Sequence, residues 1–186
     1  MSVSAAGNIP GRRRRACSVG VSLRDMRSEE GVDLASFGLV QSIQVVFNLF
    51  EQRPLQLLIP ACEQTATACI ARVPMDSGAL TGNWTKETYA GWEPQSQPHQ
   101  MFRGERFAET LARVEKLKHL CAPYYPTLAE AAMRYALHPA AVSTVIPGMT
   151  TRAEVDMNIA LSDGKAFPSP LAAAVPSHGW IRNYYQ

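Results

Sequence analysis

Four short runs of small and β-branched residues recur along the chain, at residues 16–22 (ACSVGVS), 42–47 (SIQVVF), 67–73 (TACIARV) and 142–146 (VSTVI). Helical segments lie between them. Strands that alternate with helices imply parallel strands joined by right-handed crossovers, because a parallel pair cannot be closed by a tight hairpin. The chain is therefore read as α/β. Its 186 residues fall short of the roughly 200–250 that a complete eight-fold barrel needs.

The helical segments are marked by spacing and caps. Residues 28–37 read as a short helix with Glu29 and Glu30 near its positive end and Gly38 to close it. Pro54 suits a first helical turn, and Leu55, Leu58, Ile59 and Cys62 follow at helical spacing, with Pro60 expected to kink or interrupt them. Phe107, Leu111, Val114, Leu117 and Leu120 form one apolar stripe over residues 105–121. Thr127 with Glu130, and Thr151 with Glu154, are capping-box pairs opening two further helices. Residues 75–104 read as one long polar loop, a length that is usually functional or mobile. Residues 164–186 form a tail with three prolines that ends HGWIRNYYQ.

Charge and cysteine usage narrow the class. Residues 1–31 hold six Arg and three acids, so the net charge of +2 is a local feature and the rest is nearly neutral. Residues 1–15 are read as a basic, disordered lead-in. Arg12–Arg15 is taken as a solvated approach to the first strand, and no nucleic-acid partner is expected. No apolar run is long enough to span a membrane, and no secretory signal is seen. Cys17, Cys62, Cys69 and Cys121 make no CxxC pair. They read as reduced, mostly buried thiols of an intracellular, cytoplasmic protein. The four His are scattered and no metal site is expected. Asn83-Trp84-Thr85 is a formal glycosylation sequon, read as chance.

Parallel α/β folds place their sites at the carboxyl ends of the strands. Here those ends are Ser22, then Gln44 with Asn48, then Arg72-Val73-Pro74, then Ile146-Pro147-Gly148. The turn through Met149, Thr150 and Thr151 leads into a helix whose free N–H groups make an anion seat. The Gly-containing stretch 77–82 lets backbone approach a pyrophosphate. Asp76 beside Ser77 reads as a loop pair, without the elbow a serine hydrolase needs. No Gly-Lys-Ser/Thr of a P-loop occurs.

Taken in order, Val19-Gly-Val-Ser22, Ile43-Gln-Val-Val-Phe-Asn48, residues 70–82 (IARVPMDSGALTG) and Val145-Ile-Pro-Gly148 with Asn158 resemble the aldo-keto reductases. The resemblance covers about residues 15–186 and matches the second half of that family's TIM barrel. It implies an incomplete barrel over 16–186, with four parallel strands and crossover helices. It also implies an NAD(P)H-dependent oxidoreductase acting on small aldehydes or ketones. Ser22 and Gln44 would hold the nicotinamide carboxamide, and Arg72, followed by Pro74, would lie beside the ring. Met75, Ser77 and Leu80 would line the pyrophosphate. Gly148, Thr150, Glu154 and Asn158 would surround the adenosine end.

Two departures leave alternatives open. Leu23 stands where many members have Asn, and Glu154 would repel the 2′-phosphate of NADP while Arg152 would attract it, so NADP and NAD both stay open. The family's catalytic Asp, Tyr, Lys and His lie on the first barrel half. No catalytic residue is therefore assigned, and the chain is expected to be truncated and inactive alone. The alternative is a non-enzymatic half-barrel: a weak dinucleotide-binding or protein-interaction module, with open sheet edges that invite self-association. An incomplete interior is expected to leave Val45, Phe47, Ile70 and Val145 partly wet.

Overall fold

The computed structural model describes residues 18–24 and 27–182. The basic lead-in at 1–15, Cys17, Tyr184 and Tyr185 lie outside the described residues. The strands are β1 (Gly20–Ser22), β2 (Ser42–Val46), β3 (Ala68–Arg72) and β4 (Val142–Ile146). The helices are α1 (Glu30–Ser36), α2 (Leu58–Thr65), α3 (Gln97–Met101), α4 (Glu105–Cys121), α5 (Leu128–Leu137), α6 (Arg152–Ala160) and α7 (Ser169–Ala174). All neighbouring strands pair in parallel, in the order β1-β2-β3-β4, so among the described residues the sheet is open with β1 and β4 at its edges.

One face of the sheet is roofed by helices. Ile43, Cys69 and Ala71 are fully buried there and Val45 nearly so. Helix α1 comes close because Gly31 has no side chain: a Cβ at that position would stand 2.8 Å from Leu23 Cδ1 and from Leu58 Cδ1. Helix α2 packs on α1 and β3, and α5 packs on β4. The α4 stripe is buried through Phe107, Val114 and Leu117. Cys62, Cys69 and Cys121 are buried free thiols.

Several expectations change. Of the strand expected over 16–22, the paired segment among the described residues is Gly20–Ser22, with Gly20 and Ser22 exposed rather than buried, because an edge strand has a neighbour on one side only. Val45 and Phe47 are dry, at 3% and 0% exposure. Alternation turns both toward the helices, where the Tyr135 ring of α5 lies 5.2 Å from that of Phe47. Ile70, on the other face, and Val145, at the edge, are half-buried. Pro60 does not kink α2. It falls in the first turn, where its missing N–H would have had no helical partner.

The 75–104 segment is not a plain loop. It holds two short 3₁₀ turns and α3, wrapped around a cluster of rings. The Trp84 ring lies 4.8 Å from Phe102, 5.0 Å from Trp92 and 5.8 Å from Phe107. Burying these large rings gives the segment a small core of its own. The tail is likewise docked, with Leu171 and Val175 fully buried.

Candidate functional site

The carboxyl ends of β3 and β4 open onto a cleft of about 660 Å³. Its walls are the turn after β3, the start of α5, the turn after β4 and one side of α6. Eight of the eleven residues nominated from sequence line it: Arg72, Pro74, Met75, Ser77, Gly148, Thr150, Glu154 and Asn158. Ser22 and Gln44 sit on neighbouring strands, at paired positions of β1 and β2, and Ser22 Oγ donates to Gln44 Oε1 at 3.2 Å. Arg72 Nη2 donates to the Leu23 carbonyl at 3.2 Å, tying the β3 end to the same row. Leu80 does not line the cleft. Its side chain is fully buried and its N–H donates to the Met75 carbonyl at 3.1 Å, so it supports the wall from behind.

The wall after β3 is conformationally costly. Val73, Asp76 and Ser77 all have positive φ, at 57°, 48° and 56°, and Gly78 follows at 101°. A β-branched residue in that region is a true outlier and persists only when its surroundings force it. The fully buried Asn48 supplies one constraint. Its Nδ2 donates to the Val73 carbonyl at 2.9 Å, and its Oδ1 accepts from the N–H groups of Phe50 and Glu51, each at 2.9 Å. Asp76 supplies another through a buried ion pair with Arg182. Asp76 thus reaches a partner 106 residues away. In the sequence Asn48 stands only as a strand-end residue and Arg182 only as part of the tail. Nothing near either residue signals its partner.

The anion seat at α6 is already taken. Thr151 caps the helix and completes the box with Glu154. Glu154 Oε2 accepts from the Thr150 N–H at 2.7 Å, the Thr150 hydroxyl at 3.0 Å and the Thr151 N–H at 2.9 Å. Those three hydrogen bonds hold its carboxyl below the usual range. Arg152, the competing charge, is 94% exposed and faces Asp156 at 3.8 Å. One turn further along α6, Asn158 Oδ1 is buried and accepts no hydrogen bond. It is an acceptor presented to the cleft and suited to an amino group. At Thr127 half of the expected box forms: the hydroxyl accepts from the Glu130 N–H, while Glu130 turns to Arg134.

Among the described residues, no Tyr, His or Lys lines the cleft. Tyr125 and Tyr135 pack against Phe167, with ring centres 6.0 Å and 5.7 Å away, and burial pushes both phenols up. Tyr89 stacks on His99 at 4.6 Å within the loop core. No group of three or more His, Cys, Asp or Glu stands together to hold a metal, again among the described residues. No helix there is long and apolar enough to cross a membrane.

The model of the aldo/keto reductase family matches residues 16–170. The chain is 24% identical over 135 residues to the NADH-specific methylglyoxal reductase of Escherichia coli (strain K12), covering 70% of this chain and 41% of that protein. Its fold is similar to glycerol dehydrogenase AKR11B4 from Gluconobacter oxydans, with a TM-score of 0.69 and 21% identity over 87% of this chain and 48% of that one. It is also similar to the holo form of aldo-keto reductase AKR11C1 from Bacillus halodurans, with a TM-score of 0.64 and 17% identity over 90% and 52% of the two chains. The chain therefore spans about half the length of these structures, and its four parallel strands correspond to about half of a TIM barrel.

Proposed function

The chain belongs to the aldo/keto reductase family, and from that premise and the side chains of the cleft we propose that it holds a nicotinamide dinucleotide for an oxidoreductase acting on small aldehydes or ketones. The observation that carries this reading is convergence: residues from two strand ends and α6, up to 86 positions apart between Arg72 and Asn158, meet at one cleft. When bound, the dinucleotide supplies or accepts the hydride. Ser22 and Gln44 hold the carboxamide, and Arg72 and Pro74 border the ring. Met75 and Ser77 face the pyrophosphate from a left-handed turn that brings backbone close. Gly148, Thr150 and Asn158 surround the adenosine. The unpartnered Asn158 oxygen fits the exocyclic amine of adenine.

NAD is favoured over NADP. Glu154 keeps a negative charge on the donors that a 2′-phosphate would need, and Arg152 points to solvent. The name of the E. coli relative, which specifies NADH, agrees with this. The 186 residues are not expected to reduce a carbonyl alone, because among the described residues no side chain of the cleft wall is suited to give the carbonyl oxygen its proton. The open edges β1 and β4 support a second reading, a half-barrel that pairs with another layer, a second copy included.

Titration with NADH and NADPH tests the proposal by Trp fluorescence, since Trp84 packs within 3.3 Å of a Cβ built on Gly78. NADH is expected to quench, and NADPH to bind about tenfold more weakly, a difference that narrows in Glu154→Gln. A flat response to both at millimolar levels would refute cofactor binding. Turnover of a small aldehyde by the pure chain would refute the assignment of no proton donor.

A further inference from the structure

The tail beyond α7 is built into the support of the cleft. After a 3₁₀ turn at Val175–His178 the chain passes Gly179, where a Cβ would come within 3.4 Å of Gln52 Cδ. The Trp180 N–H then donates to the Phe50 carbonyl at 2.9 Å, and Gln52 Nε2 donates to the Leu49 carbonyl at 2.7 Å and the Val175 carbonyl at 3.1 Å. The tail is thus stitched to the turn after β2. Two residues on, the Arg182 guanidinium lies 4.5 Å from the Trp180 ring centre and 4.9 Å from that of Phe50. From there it pairs with Asp76. Arg182 is 9% exposed and Asp76 is 1% exposed.

Asp76 sits inside the left-handed stretch that walls the cleft, next to Ser77. A residue held at positive φ needs something outside its own backbone to keep it there. The Arg182 charge is fixed in two directions by aromatic rings, so it can hold the Asp76 carboxylate at one place. Asn48 anchors the start of this stretch at Val73, and Arg182 anchors its middle.

We propose that Arg182 is a positioning residue. Through Asp76 it locks the turn at residues 76–78, and so sets how tightly the cleft grips the pyrophosphate part of a dinucleotide. The C-terminal tail then acts as a strap on the binding wall, without touching the ligand. The binding half of this statement rests on the cofactor reading above; the strap itself does not.

The experiment uses the full chain with Arg182→Met, which keeps an apolar stem over Trp180 and Phe50 and removes the charge. Amide hydrogen exchange without ligand is read at Gly78 and Leu80, whose N–H groups bond to the Met75 carbonyl at 2.9 Å and 3.1 Å, and at the Phe47 amide behind the sheet. Expected is exchange about tenfold or more faster at Gly78 and Leu80 with Phe47 unchanged, NADH binding weakened about tenfold, and partial recovery of both in Arg182→Lys. Unchanged exchange at Gly78 and Leu80, or an equal rise at Phe47, would overturn the strap. Fast local exchange with unaltered NADH affinity would overturn its link to binding. If the wild-type chain binds no NADH, the cofactor reading fails, while the exchange result still decides the strap. Should Arg182→Met not fold, Asp76→Asn is read by the same two results.

Discussion

The two faces of one four-stranded sheet lie in different surroundings. On the helix-covered face Ile43, Val45, Cys69 and Ala71 are all at 3% exposure or less. On the other, alternation places Gly20, Ser22, Gln44, Ile70, Arg72, Thr144 and Ile146, which range from half-buried to exposed, with Val46 near the loops the buried exception. Parallel sheets are ordinarily covered on both faces and read as apolar throughout. Here the other face mixes Ser22, Gln44, Arg72 and Thr144 with apolar residues, and it leads straight to the cleft. The difference teaches a division of labour: one face supplies the burial that stabilises the fold, and the other presents side chains for contact.

That contrast predicts unequal mutational costs. Phe47→Ala, on the dry side against Tyr135, is expected to destabilise by about 3–5 kcal/mol in urea unfolding, from lost transfer energy and the cavity left behind. A loss below about 1 kcal/mol there would break the contrast. Thiol labelling sharpens it without unfolding anything. Burial raises the Cys69 thiol to about 12 and that of Cys121 to about 11, so neither should react in the native state. In a Cys17→Ser background, Thr144→Cys on the uncovered face should label about a hundredfold faster than Cys69.

The same face should tolerate substitution. Ile70→Ser is expected to cost about 1 kcal/mol or less, since its side chain is already half wet and leaves little cavity. An effect as large as that of Phe47→Ala would mean that something covers this face in solution. The smallest effect concerns a charge under the helices. Arg134 of α5 is buried and pairs with Glu130 and with Asp163, each at 2.9 Å. That guanidinium holds the Asp163 carboxyl well below its usual range. Stability from this pair is fully present above the unfolded value of about 4 and falls as the pH drops toward the depressed folded value, because the unfolded chain binds the proton first. Asp163→Asn should therefore flatten the acid limb of a stability-against-pH curve; an unaltered limb would remove the pair from the account.

Legibility followed the range of the interaction concerned. The helix at Glu105–Cys121, the box at Thr151 and Glu154, and the strand at Val142–Ile146 are present where spacing and capping put them. Each is decided within about four residues of chain. The nominated cleft residues could be named because parallel strands place their carboxyl ends side by side. The burial of the Leu80 side chain was hidden, because a Gly-containing turn does not tell which of its side chains faces inward. The loop core of Trp84, Trp92 and Phe102 was hidden because its rings follow no period.

The sequence alone determined the α/β alternation, the parallel sense of the strands, the family and the cluster of residues at the strand ends. These rest on local periodicity and on a topology with few solutions. Only the tertiary structure decided which face of the sheet is dry and that Asn48 and Arg182 hold the turn after β3. Those outcomes are made by groups far apart in the chain, and a charge or an amide carries no mark of its partner until folding brings the two within a few ångströms.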